Sequence, residues 1–172
     1  MTRYKGILIV LNLAILLTFF NFSVVKKETI MKEGQLILLE LAPVDPRSLM
    51  QGDYMTLNYS ISNISDMEQV PKRGYYVLKP RTNGLADRVR IQESKSPLHD
   101  GEVLVKYTKA DWNIHIGAES FFFQEGHADW YENAKFGGLR VDKEGNSVLI
   151  GLYDANLKQI SCAPVKSTNE IL

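Results

Sequence analysis

The sequence predicts a mainly β (β-rich α+β) soluble domain with short helices, preceded by one N-terminal transmembrane helix. Three observations support this prediction. Residues 6–25 form an uncharged apolar run, several short segments beyond it have the length and composition of strands, and only two short segments have helical character. Short strands separated by turn residues, with few helices between them, are typical of β-rich domains.

The composition is that of a globular protein. The chain has 172 residues, of which 45% are apolar and 23% charged, and 20 basic residues balance 20 acidic ones. These values exclude a disordered chain, a collagen-like repeat and a coiled-coil rod. The zero net charge argues against nucleic acid as a partner, because phosphate neutralisation needs an excess of Lys and Arg. A single cysteine excludes an internal disulfide and a cysteine-cluster zinc site.

Residues 6–25 predict an anchor in the lipid bilayer. Twenty uncharged residues form a helix of roughly 30 Å, which is enough to cross a hydrocarbon core. A cleaved signal peptide is disfavoured because no A-x-A-like pair follows the run, and a buried core helix because the run lacks any charge. The short basic start, with Arg3 and Lys5, favours a signal-anchor whose body is extracytoplasmic. Lys26 and Lys27 weigh against this orientation.

Four segments are expected along the chain: an N-terminal membrane anchor (1–25), a juxtamembrane linker (26–34), a β-rich extracytoplasmic domain (35–165) and a tail (166–172). Arg3 and Lys5 are the only charged side chains before residue 26. The remainder therefore carries 18 basic and 20 acidic residues and a net charge of −2. Its length suits one ordinary domain.

The body contains short apolar or alternating runs that predict strands. In residues 54–61 the side chains alternate, so that Met55, Leu57, Tyr59 and Ile61 share an apolar face. A hairpin is predicted from 139–141 and 147–153, with Gly145 supplying a positive φ in the loop 142–146. The other predicted strands are 35–41, 74–79, 87–92, 102–107 and 113–116.

Two short helices are predicted after the anchor. Residues 62–70 form the first, and Pro71 ends it. Residues 127–135 form the second, in which Ala128, Tyr131 and Ala134 share one face. Asp129 lies in its first turn, where the helix dipole favours an acid.

The first candidate site is the loop that leads into strand 54–61. Asp45, Arg47 and Asp53 lie in this loop, which two prolines stiffen. Two interpretations remain open. The loop presents these charges to a partner, or one of the aspartates pairs with Arg47 and holds the loop in shape.

The second candidate site covers residues 121–140. Glu125, His127 and Asp129 are residue types that ligate metals, but a helix starting at His127 does not bring all three together. No metal and no other cofactor is therefore expected. The three consecutive residues Phe121 to Phe123 are interpreted as core side chains. No nucleophile elbow, phosphate-binding loop, dinucleotide fingerprint or CxxC pair occurs in the chain.

Residues 52–59 read GDYMTLNY and fit the pattern GDYxxLxY in full. The chain resembles the GDYxxLxY family of membrane-anchored bacterial proteins, and the stretches LAPVDPRSLMQ, FFFQEG and LRVD support the resemblance. The resemblance implies a single-pass protein of the bacterial cytoplasmic (inner) membrane that often acts beside a multi-pass membrane protein. The resemblance carries over residue by residue to Asp53, Tyr54, Tyr59, Glu125, Tyr131 and Arg140, among others. Together with two residues of the charged loop, these give the candidate binding residues Asp45, Arg47, Asp53, Tyr54, Tyr59, Glu125, Tyr131 and Arg140.

A weaker, fold-level resemblance is to bacterial signal peptidases, which are also anchored, β-rich and exported. Aligning their nucleophile box on Gly52 and Asp53 places Val44 where those enzymes have serine. Ser48 is then a displaced candidate nucleophile. The general-base lysine of those enzymes has no match that can be placed, although Lys79 lies in a strand of plausible type.

The expected function is that of a periplasmic binding or accessory protein with a multi-pass membrane partner and no evident catalysis. The first alternative is a membrane-bound, signal-peptidase-like serine hydrolase or its inactive relative. The second is a protein that only supports the folding of a neighbouring membrane protein.

Overall fold

The protein consists of one long N-terminal helix and a body of three antiparallel β-sheets. A computed structural model of the chain describes residues 2–42, 54–64 and 66–161. The helices are α1 (Thr2–Glu33) and α2 (Ala128–Tyr131). The strands are β1 (Gln35–Glu40), β2 (Tyr54–Thr56), β3 (Arg73–Pro80), β4 (Ala86–Gln92), β5 (Val103–Ala110), β6 (Asn113–His115), β7 (Ser120–Phe122), β8 (Phe136–Val141) and β9 (Ser147–Tyr153).

The three sheets confirm the predicted mainly β class. Their strand orders are β1-β8-β9, β2-β7 and β4-β3-β5-β6, and none of them closes into a barrel. The predicted hairpin near the C-terminus is β8–β9, and Gly145 in its loop has a φ of +81°. The predicted strands at 35–41, 74–79, 87–92, 102–107 and 113–116 correspond to β1, β3, β4, β5 and β6.

Helix α1 is longer than the apolar run that predicts it. It continues through residues 26–33, where the sequence suggests a linker. Within the apolar part, Thr18 Oγ1 donates to the Ala14 carbonyl and Asn21 Nδ2 to the Leu17 carbonyl, both at 2.8 Å. These bonds within the helix lower the cost of placing polar groups among lipid chains. Among the described residues, α1 is the one helix long and apolar enough to cross a membrane.

Helix α1 runs into strand β1 through the single residue Gly34. The Gly34 nitrogen donates to the Ile30 carbonyl at 2.9 Å, and Ile30 is buried against the body. A methyl group on Gly34 would meet the Ile30 carbonyl and lie 3.0 Å from the Val141 nitrogen. Only glycine therefore lets the helix end pack this closely on β8.

The core lies between the three-stranded and four-stranded sheets. Its fully buried side chains include Ile37, Leu39 and Leu139 from one sheet and Tyr76 and Leu78 from the other. The segment that starts with β2 closes one side of this core with Met55, Leu57 and Tyr59. Each fully buried aliphatic side chain stabilises the fold by roughly 1.5–3 kcal/mol relative to exposure. This shared core therefore holds the two sheets and the segment that starts with β2 together.

Two of the predicted elements are corrected by the structure. Strand β2 ends at Thr56, and a single 3-10 turn, Ser60–Ser62, occupies the end of the predicted strand. The predicted helix at 62–70 is wrong, because residues 62–64 and 66–70, which the structure describes, contain only one further 3-10 turn, Met67–Gln69. Lys109 Nζ donates to the Met67 and Val70 carbonyls at 2.6 and 3.0 Å and so holds this segment against β5 in a non-helical form. The helix at 127–135 is confirmed in shorter form as α2.

Candidate functional site

The motif segment 54–61 sorts its side chains between the core and the surface. Met55, Leu57 and Tyr59 are buried, and Tyr54 and Thr56 point outward. This is the predicted alternation, and it persists beyond the end of β2 because Tyr59 keeps an extended backbone, with φ −102° and ψ 136°. Among the described letters of GDYxxLxY, Leu57 and Tyr59 therefore build the fold, and Tyr54 faces solvent.

Tyr59 connects three parts of the body. Its hydroxyl donates to the Ala118 carbonyl at 2.7 Å, and its backbone bridges to Leu41 at the end of β1. Its ring fills the space beside Gly137 on β8, where a methyl group would lie 2.9 Å from the ring. Burial raises the pKa of the Tyr59 hydroxyl, and the Glu119 carboxylate raises it further. Tyr59 therefore remains a neutral donor, and its role is structural.

The outer face of the β2–β7 sheet carries an exposed aromatic pair. Tyr54 lies opposite Phe122 in the ladder, with ring centroids 5.8 Å apart, and Thr56 lies opposite Ser120. We call these four residues the motif face. Phe122 is 74% exposed, so the interpretation of all three phenylalanines as core is wrong for the middle one. Phe121 and Phe123, which point the other way, pack against the core.

A groove of about 810 Å³ adjoins the motif face. Thr56 belongs to both, and Trp112, which is 71% exposed at the β5–β6 turn, forms part of the opposite wall. Asp111 beside it has a φ of +52°, a left-handed conformation that aspartate tolerates in tight turns. We call this the motif groove; it is lined by Ala42, Thr56, Leu57, Asn58, Tyr59, Ser62, Asn63, Ile64, Met67, Trp112, Asn113, Ile114, His115 and Glu119.

Glu119 is the one carboxylate among the described residues that line the motif groove, and the backbone already engages it. Glu119 accepts hydrogen bonds from the Ile116 nitrogen and, at 3.2 Å, from the Gly117 nitrogen. Its carbonyl accepts from the Leu57 nitrogen at 2.7 Å. The groove therefore offers aromatic and neutral polar surface, which suits a neutral or weakly charged ligand.

The second cluster contributes both core and surface. Tyr131 on α2 is buried, with its ring centroid 4.9 Å from that of Phe121 and 5.5 Å from that of Phe123. Glu125 is exposed on the loop between β7 and α2. His127 stacks on Trp130, with the ring centroids 5.2 Å apart. The cluster thus holds β7 in place through Tyr131 and exposes Glu125 near the motif face.

Arg140 lies away from the other candidate residues. It sits on β8 opposite Leu36, at the end of β1 that follows α1, whereas Tyr59 bridges to the other end of that strand. Its Nη1 atom donates to the Gly34 carbonyl at 2.7 Å. Arg140 therefore satisfies a carbonyl at the C-terminal end of α1 and holds the helix on the sheet.

Several predicted residues fall outside the described part of the chain. They are Asp45, Arg47, Asp53 and Ser48, together with Cys162. Lys79 is exposed on β3. Across residues 2–42, 54–64 and 66–161, no group of three or more His, Cys, Asp or Glu side chains is placed to hold a metal ion.

Comparison with known protein families gives one match. A model described as GDYXXLXY protein matches residues 16–152, which run from within α1 to β9. No curated protein and no solved structure is similar enough to match.

Proposed function

The chain belongs to the GDYXXLXY family, and we propose that it is a single-pass, membrane-anchored accessory protein of the bacterial inner membrane. In this proposal α1 spans the bilayer through residues 6–25, and the body lies in the periplasm. The body binds an exported segment of a multi-pass membrane protein with the motif face and the motif groove.

The observation that carries the proposal is the exposed pair Tyr54 and Phe122. Large aromatic side chains exposed in contact with each other are uncommon on a surface that only meets water. Tyr and Trp are also the side chains most often responsible for affinity at protein interfaces. Trp112, on the wall of the adjoining groove, adds a third exposed ring to the same region.

The buried partners of the motif support this use of the surface. Leu57 and Tyr59 fix the backbone from which Tyr54 and Thr56 project, and Tyr131 fixes β7 from behind through Phe121 and Phe123. A binding face held by packed side chains loses little conformational entropy when a partner docks. The family motif then combines one contact residue with the residues that position it.

The test is affinity capture of the full-length protein from gently solubilised native membranes, followed by mass spectrometry. The variant Tyr54→Ser/Phe122→Ser removes the aromatic pair. The control is Val89→Ser, because Val89 is also an exposed apolar side chain, at 50%, and lies on β4 of a different sheet.

We expect one multi-pass protein to be retained by the wild type and by Val89→Ser. The double variant should retain it roughly tenfold less, because loss of one interface anchor typically costs 1–2 kcal/mol or more. Equal retention by the double variant would show that the motif face is not the contact. Absence of any multi-pass protein would overturn the accessory function itself.

The side of the membrane is tested separately. Thr108 is exposed on β5, so Thr108→Cys in a Cys162→Ser background introduces one accessible thiol. A membrane-impermeant maleimide should label it on intact spheroplasts. Labelling only after permeabilisation would place the body in the cytoplasm and refute the periplasmic orientation.

A further inference from the structure

A second cleft, of about 1010 Å³, lies between the end of α1 and the body, and it is separate from the motif groove. Phe22, Val25 and Lys26 form its helix wall, and Leu98 and Lys143 lie on the body wall. Buried residues of the core, Val103, Leu104 and Val141, form its floor.

The body wall of the cleft is held in place by ion pairs. The Arg90 guanidinium donates hydrogen bonds to both carboxylate oxygens of Glu102, at 2.6 and 2.8 Å, and to the Pro97 carbonyl at 2.8 Å. Lys95 pairs with Glu144 across the cleft wall. The segment 93–102 is thereby fastened to the body while it leaves Leu98 45% exposed. An apolar side chain held out in this way is positioned for an apolar environment.

The cleft opens at the level of the membrane surface if α1 spans the bilayer, as the proposed function requires. The apolar run ends at Val25, and Lys26 is the first charged side chain after it. Phe22 and Val25 therefore lie at the edge of the hydrocarbon, and Leu98 faces the cleft beside them. The mouth of the cleft is continuous with the acyl chains of the surrounding leaflet.

Two lysines of the cleft are available to an anionic group. Lys26 and Lys143 make no ion pair with any described residue. Of the four acids in the lining, Glu102 and Glu144 are offset by their ion pairs with Arg90 and Lys95. The other two balance the two lysines in formal charge, but neither pairs with them: Asp142 accepts hydrogen bonds from the nitrogens of its own turn, and Glu33 lies about 10 Å from Lys26 along α1 at 1.5 Å per residue.

We propose that this cleft binds an anionic glycerophospholipid of the surrounding leaflet. The phosphate of the headgroup sits between Lys26 and Lys143, and the upper part of an acyl chain lies against Phe22, Val25 and Leu98. The lipid fills the space between helix and body and sets the tilt of the body on the membrane. This proposal rests on the anchor in the proposed function but does not depend on the protein partner.

The test is native mass spectrometry of the purified full-length protein in mild detergent, titrated with phosphatidylglycerol or with phosphatidylcholine of the same acyl chains. The variant is Lys26→Gln/Lys143→Gln. The matched control is Lys27→Gln/Lys72→Gln, which removes the same charge from exposed residues that do not line the cleft.

Each basic side chain near an anionic headgroup contributes about 1 kcal/mol, so the cleft variant should bind phosphatidylglycerol roughly 25-fold more weakly. The control should stay within about twofold of wild type, and phosphatidylcholine should bind weakly to all three. Equal losses of affinity in the variant and the control would show that the effect comes from general surface charge and would refute the site. Equal binding of both lipids to the wild type would refute recognition of an anionic headgroup.

A second variant, Leu98→Ser, tests the apolar wall without changing any charge. It should weaken phosphatidylglycerol binding because the acyl chain of the lipid loses an apolar contact. An unchanged titration would show that the acyl chain does not lie against Leu98. Because these titrations contain no protein partner, their failure leaves the capture experiment unaffected. A failed capture likewise leaves the lipid site standing.

Discussion

Substitution of Tyr59 by phenylalanine removes one oxygen atom and tests whether this motif residue is structural. The hydroxyl donates to the Ala118 carbonyl at 2.7 Å, and Tyr59 and Ala118 are 2% and 3% exposed. The ring itself stays in place beside Gly137, so packing is preserved. The change therefore isolates one buried hydrogen bond between the motif segment and the loop before β7.

The expected loss is about 2 kcal/mol in the free energy of unfolding, because a buried carbonyl left without its donor costs roughly 1–3 kcal/mol. For a domain of this size, each kcal/mol lowers Tm by about 2–4 °C, so Tm should fall by about 4–8 °C. Tyr54→Phe is the control. Its hydroxyl bonds to no described residue and its side chain is 38% exposed, so Tm should change by little more than 1 °C.

The pH dependence of the difference is a second readout. The pKa of Tyr59 is raised by burial and by Glu119, so the folded protein keeps the proton above the unfolded pKa of about 10. The stability of the wild type is therefore fully present below pH 10 and falls above it by up to about 1.4 kcal/mol per pH unit. Tyr59→Phe lacks this loss, and its deficit should shrink between pH 9 and pH 11.

Circular dichroism during thermal unfolding of the full-length protein in detergent measures both quantities. A Tm within 1 °C of wild type at pH 8 would show that the Ala118 bond is not made. A deficit that stays constant from pH 9 to pH 11 would show that the Tyr59 pKa is not raised. The first result would refute the structural role of the Tyr59 hydroxyl, and the second would refute its raised pKa.

Three further outcomes are expected. The hydrogen bonds from Arg90 lower the pKa of Glu102 to about 2, so the hold on segment 93–102 is present above about pH 4.5 and is lost as the pH falls towards 2. The hydrogen-exchange protection of this segment, relative to the intrinsic exchange rate at each pH, should fall over that range, and constant protection would contradict the pairing. Gly34→Ala should cost about 1–3 kcal/mol because its methyl group meets backbone atoms on two sides, and thermal unfolding should show it, whereas Gly6→Ala, with open space around it, should not be destabilised. Arg140→Met should cost about 1.5–3 kcal/mol in urea denaturation because a carbonyl at the end of α1 loses its charged donor, and an unchanged midpoint would place that carbonyl in water.

The side-chain alternation in residues 54–61 could be predicted because burial follows local periodicity. Met55, Leu57 and Tyr59 are buried as the pattern indicates, although the hydrogen-bonded strand ends at Thr56. The pattern describes which way side chains point, and an extended backbone without a ladder has the same period. The exact end of the strand depends on where β7 stops pairing, which is not local information.

The helix expected at 62–70 fails in part because its Ser and Asn residues favour caps and turns over helix interiors. The segment is held by a distant side chain instead, since Lys109 donates to the Met67 and Val70 carbonyls. No pattern within nine residues contains that information. The exposure of Phe122 was missed for the opposite reason, since three consecutive apolar residues on a strand must alternate and one of them faces outward.

The predicted binding residues divide between the surface and the interior of the body. Tyr54 and Glu125 are on the surface, as a binding role requires, whereas Tyr59 and Tyr131 pack inside the body. Arg140 bonds to Gly34 across 106 positions of sequence, and no spacing rule relates the two. A resemblance to a family marks positions without saying whether a residue touches a ligand or holds the backbone.

In the proposed function, the single-residue junction between α1 and β1 restricts how the body can search for a membrane partner. The helix rises through residues 26–33 without a break, about 12 Å at 1.5 Å per residue, and a sheet begins at Gln35. A domain joined to its membrane helix by a flexible linker can take many positions above the membrane surface. A domain joined by a continuous helix can mainly rotate about the helix axis, at a fixed distance from that surface. Sites presented at that height meet a much higher effective concentration of the body, and sites at other heights meet almost none. For the proposed accessory function, a weak contact would therefore suffice when both proteins share one membrane.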